Sequence, residues 1–298
     1  MLSKKILGAI ERRQSTSTAN KILAKVEMLP ALPGVVREVL DLTTNPDFPM
    51  DRLVQVVSLD PGITANVIRR VNSAYFGLRH KATSLEQAIP LVGANNLVEI
   101  TLSSGVSGML NGNYEGYKLS QGQLWRHSMA TALASKHLSD LVEFEDSPTV
   151  FTAALLHDVG KAILSEFVKE LFDEIDRLVS WEGWPLSEAE NAVIGVDHTV
   201  LGGAAAKKWN LGEPIAVAVA YHHKPENAPS HRTITNLVAM ANFFAATAGE
   251  GSGLGEEMPL IPKTASFELD IYPREVETIT EQIVQMLNTS QDLLSLVD

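Results

Sequence analysis

The feature that most constrains this chain is a helical hydrophobic period cut by strong helix-start signals. Leu53, Val54, Val56 and Val57 follow Met50-Asp51, and Leu59 precedes an Asp60-Pro61 break. Asp60 suits an N-cap and Pro61 the first helical position, so a new helix is expected through Ile63, Val67, Ile68 and Val71. Ser84-Leu85-Glu86-Gln87 opens another, with Gln87 as a capping-box partner, and Leu97, Ile100, Thr101 and Leu102 continue the pattern. Alternating, strand-like runs are scarce. The expected fold class is all-α.

The bulk properties narrow the function. The 298 residues are 45% hydrophobic and 20% charged, a globular composition with length enough for a large core. With no cysteine, disulfides, thiolate metal sites and cysteine nucleophiles are excluded, so any metal must be held by nitrogen and oxygen. A formal charge of −12 argues against a nucleic-acid scaffold, because phosphate backbones attract basic surfaces. The N-terminal MLSKKILGAIERRQ is amphipathic and lacks a signal-peptide core, and no window approaches the roughly 18 apolar residues of a membrane span. The expected location is cytoplasmic, with no membrane contact.

Four segments are expected. Residues 1–28 form an N-terminal helical extension and 29–116 an N-terminal helical part. Residues 117–249 form a C-terminal helical core, and 250–298 a loop followed by an amphipathic helix. Ser107 to Tyr117 (SGMLNGNYEGY) reads as a loop, as does Glu250 to Lys263. Tyr272 to Val297 reads as one long helix with Val276, Ile279, Ile283, Met286 and Leu287 on one face, free to pack on the core or on a second copy. No short-period repeat is present.

Candidate chemistry lies in the histidines. Of eight, five sit in apolar helical context in the second half: His127, His157, His198, His222 and His223. His157 and Asp158 end the run AALL, before a glycine, Gly160, able to terminate a helix. His198 follows Asp197, an N-cap for a helix to Trp209, and Lys224-Pro225 breaks the helix that ends in His222-His223. Four of the five lie near helix ends, where side chains can converge on one pocket. Taken singly, each histidine reads first as an ordinary core residue.

The second half resembles the HD superfamily of metal-dependent phosphohydrolases, all-α proteins named for the His-Asp pair, with His127 ahead of His157-Asp158 and HDVGK matching the HDxGK form. LPALPGVVREVLDLTTNP, VSLDPGITANVIRRVNSAYFG and SLEQAIPLVGANNLVEITLS resemble the HDOD family, the HD-related output domains of bacterial signalling, over about Leu29 to about Ala248. Many HDOD members have lost their metal ligands; this chain resembles those that keep them. The resemblance implies one ion on His127, His157, Asp158 and a late acidic position, occupied here by Asn242. A second ion falls to His198, His222 and His223 as in the HD-GYP phosphodiesterases, with Asp158 bridging. The chain departs from the HD-GYP pattern in that amide and in lacking the GYP segment after the histidine pair, where it reads Lys224-Pro225-Glu226-Asn227-Ala228-Pro229. Both departures weigh against hydrolysis of cyclic di-GMP.

A histidine-rich site with carboxylate or amide oxygens suits a divalent transition metal, iron first, with manganese, nickel or zinc as alternatives. Two ions about 3.5–4 Å apart support in-line attack on phosphorus. Asp158 and Lys161 are the candidate catalytic residues, Lys161 either neutralising phosphate or resting as a solvated lysine. Asp197 either caps its helix or orients His198, and Trp125 and Arg126 are candidates for the pocket mouth. Asn72, Ser73, Tyr75 and Phe76 read as a structural turn ahead of a ligand site. Two functions are weighed: a signalling module with a mono- or dinuclear metal site and a protein or nucleotide partner, and a metal-dependent phosphohydrolase acting on a nucleotide or cyclic dinucleotide.

Overall fold

The computed structural model describes residues 21–22, 24–43, 48–254 and 260–295. Most of the expected 1–28 extension lies outside them. No strand occurs among the described residues, only a single bridge between Tyr114 and Leu119. The order is α1 (Gly34–Thr43), α2 (Met50–Ser58), α3 (Pro61–Val71), α4 (Leu85–Val92) and α5 (Ala94–Leu110) in the first half. A 3-10 turn, Glu115–Tyr117, leads to α6 (Gln123–Leu141), α7 (Ser147–Leu156), α8 (Val159–Glu170) and α9 (Phe172–Asp176). Then follow α10 (Leu186–Ile194), α11 (His198–Lys208), α12 (Glu213–Tyr221), α13 (Arg232–Thr247), α14 (Lys263–Glu268), α15 (Pro273–Thr289) and α16 (Gln291–Ser295). No helix among the described residues is long and apolar enough to cross a membrane.

The helix starts follow local chemistry. Asp60 caps α3 by accepting from the backbone N–H groups of Gly62 and Ile63 at 2.9 and 3.0 Å. Ser84 caps α4 by accepting from Gln87, whose side chain accepts from the backbone N–H of Thr83 at 2.9 Å. Asn72 closes α3: its side-chain amide exchanges two 2.8 Å hydrogen bonds with the backbone of Ala82, so this residue of the NSAYFG motif is structural.

The two halves share one core. In the first half the helices are amphipathic, as α2 shows by burying Leu53, Val56 and Val57 on one side. In the second half α7 and α13 are buried along most of their length, from Val150 to Leu156 and from Ile234 to Ala245, because neighbours cover them. Two expectations fail. Ser107–Leu110 continues α5 instead of forming a loop. Gly105, in the preceding turn, lets α5 approach α1 so closely that a Cβ would sit 2.1 Å from Val36 Cγ2. The C-terminal helix breaks at Ser290 into α15 and α16, with Ser290 buried between them.

Candidate metal centre

The His-Asp pair stands at a junction of two helices. His157 caps α7 with helical backbone angles, and Asp158 directly precedes α8. Both side chains are fully buried. Gly160 does not end a helix; it is the second residue of α8, and its missing Cβ admits α11, since a Cβ there would lie 1.8 Å from the carbonyl oxygen of His198. Asp197 caps α11 through the N–H groups of Thr199 and Val200 at 2.9 and 3.1 Å, fixing His198 as its first residue. His222 extends the turn of α12, and His127 lies in the second turn of α6.

These five histidines and Asp158 converge in two overlapping groups. In one, His127, His157 and Asp158 present ligand atoms within 4.8 Å of one another; in the other, Asp158, His198, His222 and His223 do the same. Asp158 belongs to both, and its two oxygens divide between them. Oδ2 lies 3.5 Å from Nε2 of both His127 and His157. Oδ1 lies 3.5 Å from His198 Nε2 and 3.8 Å from His222 Nε2.

The imidazoles are oriented to offer lone pairs inward. Nδ1 donates to the carbonyl of Glu250 in His127 (2.6 Å), of Ala154 in His157 (2.7 Å) and of Val219 in His222 (2.8 Å). In His198, Nδ1 donates to Glu190 Oε2 at 2.6 Å. Each acceptor places the proton on Nδ1 and leaves Nε2 bare toward the centre. His127 and His157 then face each other Nε2 to Nε2 at 3.0 Å, and His198 and His223 at 3.1 Å. In the His127–His157 pair both Nε2 atoms carry bare lone pairs, which repel at that distance unless a cation lies near both. Asp158 Oδ1 and His222 Nε2 are buried without a hydrogen bond. Orphaned buried acceptors carry a desolvation cost, and a metal removes it. The residues fit a divalent transition metal bound by nitrogen and oxygen.

The electrostatics agree. Burial alone would raise the carboxyl of Asp158; Lys161 and the imidazoles of His157, His198 and His127 override it and hold it well below the carboxylate range. Burial pushes His157 down to about 4 and His222 well below its ordinary value, keeping both neutral as ligation requires. His198 departs upward: burial opposes its charge, but the Glu190 carboxylate outweighs burial. Lys161 is not a solvated residue past a helix end. It is fully buried, with Nζ 2.8 Å from Asp158 Oδ2 and hydrogen-bonded to Ser252 Oγ.

Four supporting residues were not singled out in the sequence. Glu190 holds the ring of His198, the task considered for Asp197, and also accepts from Tyr117 Oη at 2.7 Å. The available signal was a glutamate on the buried face of α10. Glu250 and Ser252 come from the segment after α13. Their contacts to His127 and Lys161, with the Leu254 N–H donating to the Tyr117 carbonyl at 3.2 Å, draw that segment across the centre. Trp125 is buried away from any pocket mouth, and Arg126 pairs with Glu250.

A cavity of about 670 Å³ opens on the second group, reaching His222, His223 and Asn242 between walls that include Trp184, Phe243 and Pro262. Asn242, on α13, directs a buried Oδ1 that accepts no hydrogen bond. It lines this cavity beside His222 and His223.

Comparison with known proteins places the chain. The HDOD domain model matches residues 29–225. An HDOD domain protein of unknown function from Geobacter sulfurreducens is 25% identical with a TM-score of 0.72, over 95% of this chain and 96% of that one. A protein from Marinobacter aquaeolei VT8, named as a candidate signal transduction protein, shares the fold at 18% identity and a TM-score of 0.78, over 97% of this chain and 66% of its own. An uncharacterized protein of Treponema pallidum (strain Nichols) is 25% identical over 231 residues, 77% of this chain but 44% of that protein, so the chain spans less than half of this relative. The chain belongs to the HDOD domain family.

Proposed function

We propose that this protein is a signal-transduction module of the HDOD type that keeps a working metal centre, with iron, manganese, nickel or zinc bound by His127, His157, Asp158, His198, His222, His223 and Asn242. The observation that carries the reading is the division of Asp158: one buried carboxylate offers each oxygen to a separate set of Nε2 atoms. A carboxylate so placed suits a dinuclear centre, since each oxygen can serve one cation. When bound, the metal would supply Lewis-acid polarisation of a phosphoryl oxygen. The chain's own residues set the conditions: Lys161 neutralises Asp158, Glu190 fixes His198, and the Glu250 carbonyl fixes His127. In this reading a signalling protein or a nucleotide is the partner, and the protein acts in the cytoplasm.

A second reading, a metal-dependent phosphohydrolase, is favoured by the cavity that brings solvent and small molecules to His222 and His223. Lys161 is sealed behind Asp158, so within that reading it tunes the carboxylate and does not reach substrate. Elemental analysis of protein purified without chelator tests the first claim: close to two equivalents of transition metal are expected, and none would refute it. A phosphodiesterase and nucleotidase screen with added Fe²⁺ or Mn²⁺ separates the readings. Full occupancy without turnover supports the signalling module, and turnover abolished by His157→Ala supports the hydrolase.

A further inference from the structure

The segment after α13, residues 249–254, lies outside any helix and touches the supports of the inner ligand group, His127, His157 and Asp158. The Glu250 carbonyl accepts from His127 Nδ1 at 2.6 Å. The Ser252 hydroxyl accepts from Lys161, whose ammonium pairs with Asp158 at 2.8 Å. The Leu254 N–H donates to the Tyr117 carbonyl at 3.2 Å. The segment is therefore a strap from α6 to α8 and the 3-10 turn. Its two faces differ: Ser252 and Leu254 are buried, while Gly249 and Gly251 are exposed. One thickness of irregular chain separates His127 and Lys161 from solvent here.

The strap turns at two glycines with positive φ, +92° at Gly249 and +95° at Gly253, a backbone conformation that glycine adopts without strain. At Gly253 an added Cβ would lie 2.3 Å from the Tyr117 carbonyl oxygen, so the strap lies flush on the 3-10 turn. A clasp holds the other end. Arg126 donates through Nε to Glu250 Oε2 at 3.2 Å and through Nη2 to Oε1, a two-pronged pair. The two side chains are 33% and 19% exposed, so water and salt reach the clasp.

His127, His157 and Asp158 are fully buried, so an ion reaches or leaves them only when some part of the wall opens. The helices α6, α7 and α8 that carry them are continuous hydrogen-bonded elements with many buried side chains. An irregular strap held at separate points opens at a lower free energy than such helices. We propose that residues 249–254 are the gate through which the inner ion enters and leaves, latched by the Arg126–Glu250 pair. The inference rests on the metal-centre reading above. Opening lifts the Glu250 carbonyl from His127 and Ser252 from Lys161 while the helices stay in place. The outer group has its own cavity and does not depend on the gate.

The test loads the full-length protein with Zn²⁺ and mixes it with excess chromogenic chelator. Two release phases are expected, and the one that persists in protein carrying His198→Ala with His223→Ala belongs to the inner ion. Glu250→Ala removes the clasp but keeps the backbone carbonyl that faces His127. It should speed both release and uptake of the inner ion by about fivefold, the scale of a partly exposed ion pair, with affinity and the outer phase unchanged. Raising sodium chloride should speed inner release in the parent protein and not in Glu250→Ala, since only the parent has a clasp to screen. Unchanged inner kinetics in Glu250→Ala overturn the gate, and so does faster release with slower or unchanged uptake, which would mean a weakened ligand. Parent protein that takes up no Zn²⁺ refutes the metal centre and the gate with it; Zn²⁺ bound but indifferent to Glu250→Ala refutes the gate alone. Should Glu250→Ala not fold, Glu250→Gln carries the same expectation, and inner release from the parent that ignores salt overturns the latch.

Discussion

The two imidazole groups around Asp158 differ in how they meet solvent. His127 and His157 are sealed, their outer nitrogens tied to backbone carbonyls of Glu250 and Ala154. His198 and His222 are also buried, but His223 is exposed and the cavity reaches it. The inner group is an enclosed pair sharing a carboxylate; the outer has one more imidazole and an open side. In the proposed reading, the difference separates an ion held for retention from one accessible to exchange or to a ligand. Asn242, which the family resemblance places with the inner ion, lines the outer cavity beside His222 and His223.

The harshest way to break this comparison is to remove the shared oxygen donor. Asp158→Ala should abolish binding at both groups and leave Lys161 buried without its carboxylate, a loss of about 3–5 kcal/mol of stability. Elemental analysis and denaturant melts check both. Paired substitutions are milder. His127→Ala with His157→Ala, or His198→Ala with His223→Ala, should each remove one equivalent and spare the other. A drop to zero in either case would mean a single shared ion.

Acid titration of metal-free protein sharpens the comparison further. His157 is held near 4 when folded and titrates near 6.5 when unfolded. The unfolded chain therefore binds more protons across that interval, and stability is full above about 6.5 and lost as pH falls toward 4, by on the order of 3 kcal/mol for this group. His222, lowered by burial and by His157, acts in the same direction, while His198, raised, opposes them. Melting temperatures from pH 7.5 to 4.5 should fall, and bound metal should shrink the fall by keeping the rings deprotonated.

Glu190→Gln bears on the outer group alone. Weakening the orienting acceptor of His198 should reduce affinity for one ion by about 10–100-fold, leaving the other unchanged in a chelator competition. The smallest effect is expected from Asn242→Ala: an uncharged amide oxygen should matter less than any imidazole, and only for the outer ion. A larger effect on the inner ion would support the arrangement implied by family resemblance.

Much of this molecule was legible in one dimension. The Asp60, Ser84 and Asp197 caps and the end of α12 depend on residues within four positions of each other, so local chemistry announces them. Glycines misled, because the sequence shows that a residue lacks a side chain but not why. Gly160 and Gly105 lie inside helices, where their bareness admits another backbone or side chain. The Ser107–Leu110 stretch was misjudged for the same reason.

What the sequence alone determined was the all-α class and the seating of four of the five histidines near helix ends, since capping and periodicity act over a few residues; the metal-ligand set followed from the family resemblance. Tertiary structure alone decided which oxygen of Asp158 meets which ring, that Glu190 rather than Asp197 steadies His198, and that Lys161 is entombed. Those outcomes depend on distances between helices remote in the chain. Packing sets them, and no local preference encodes them.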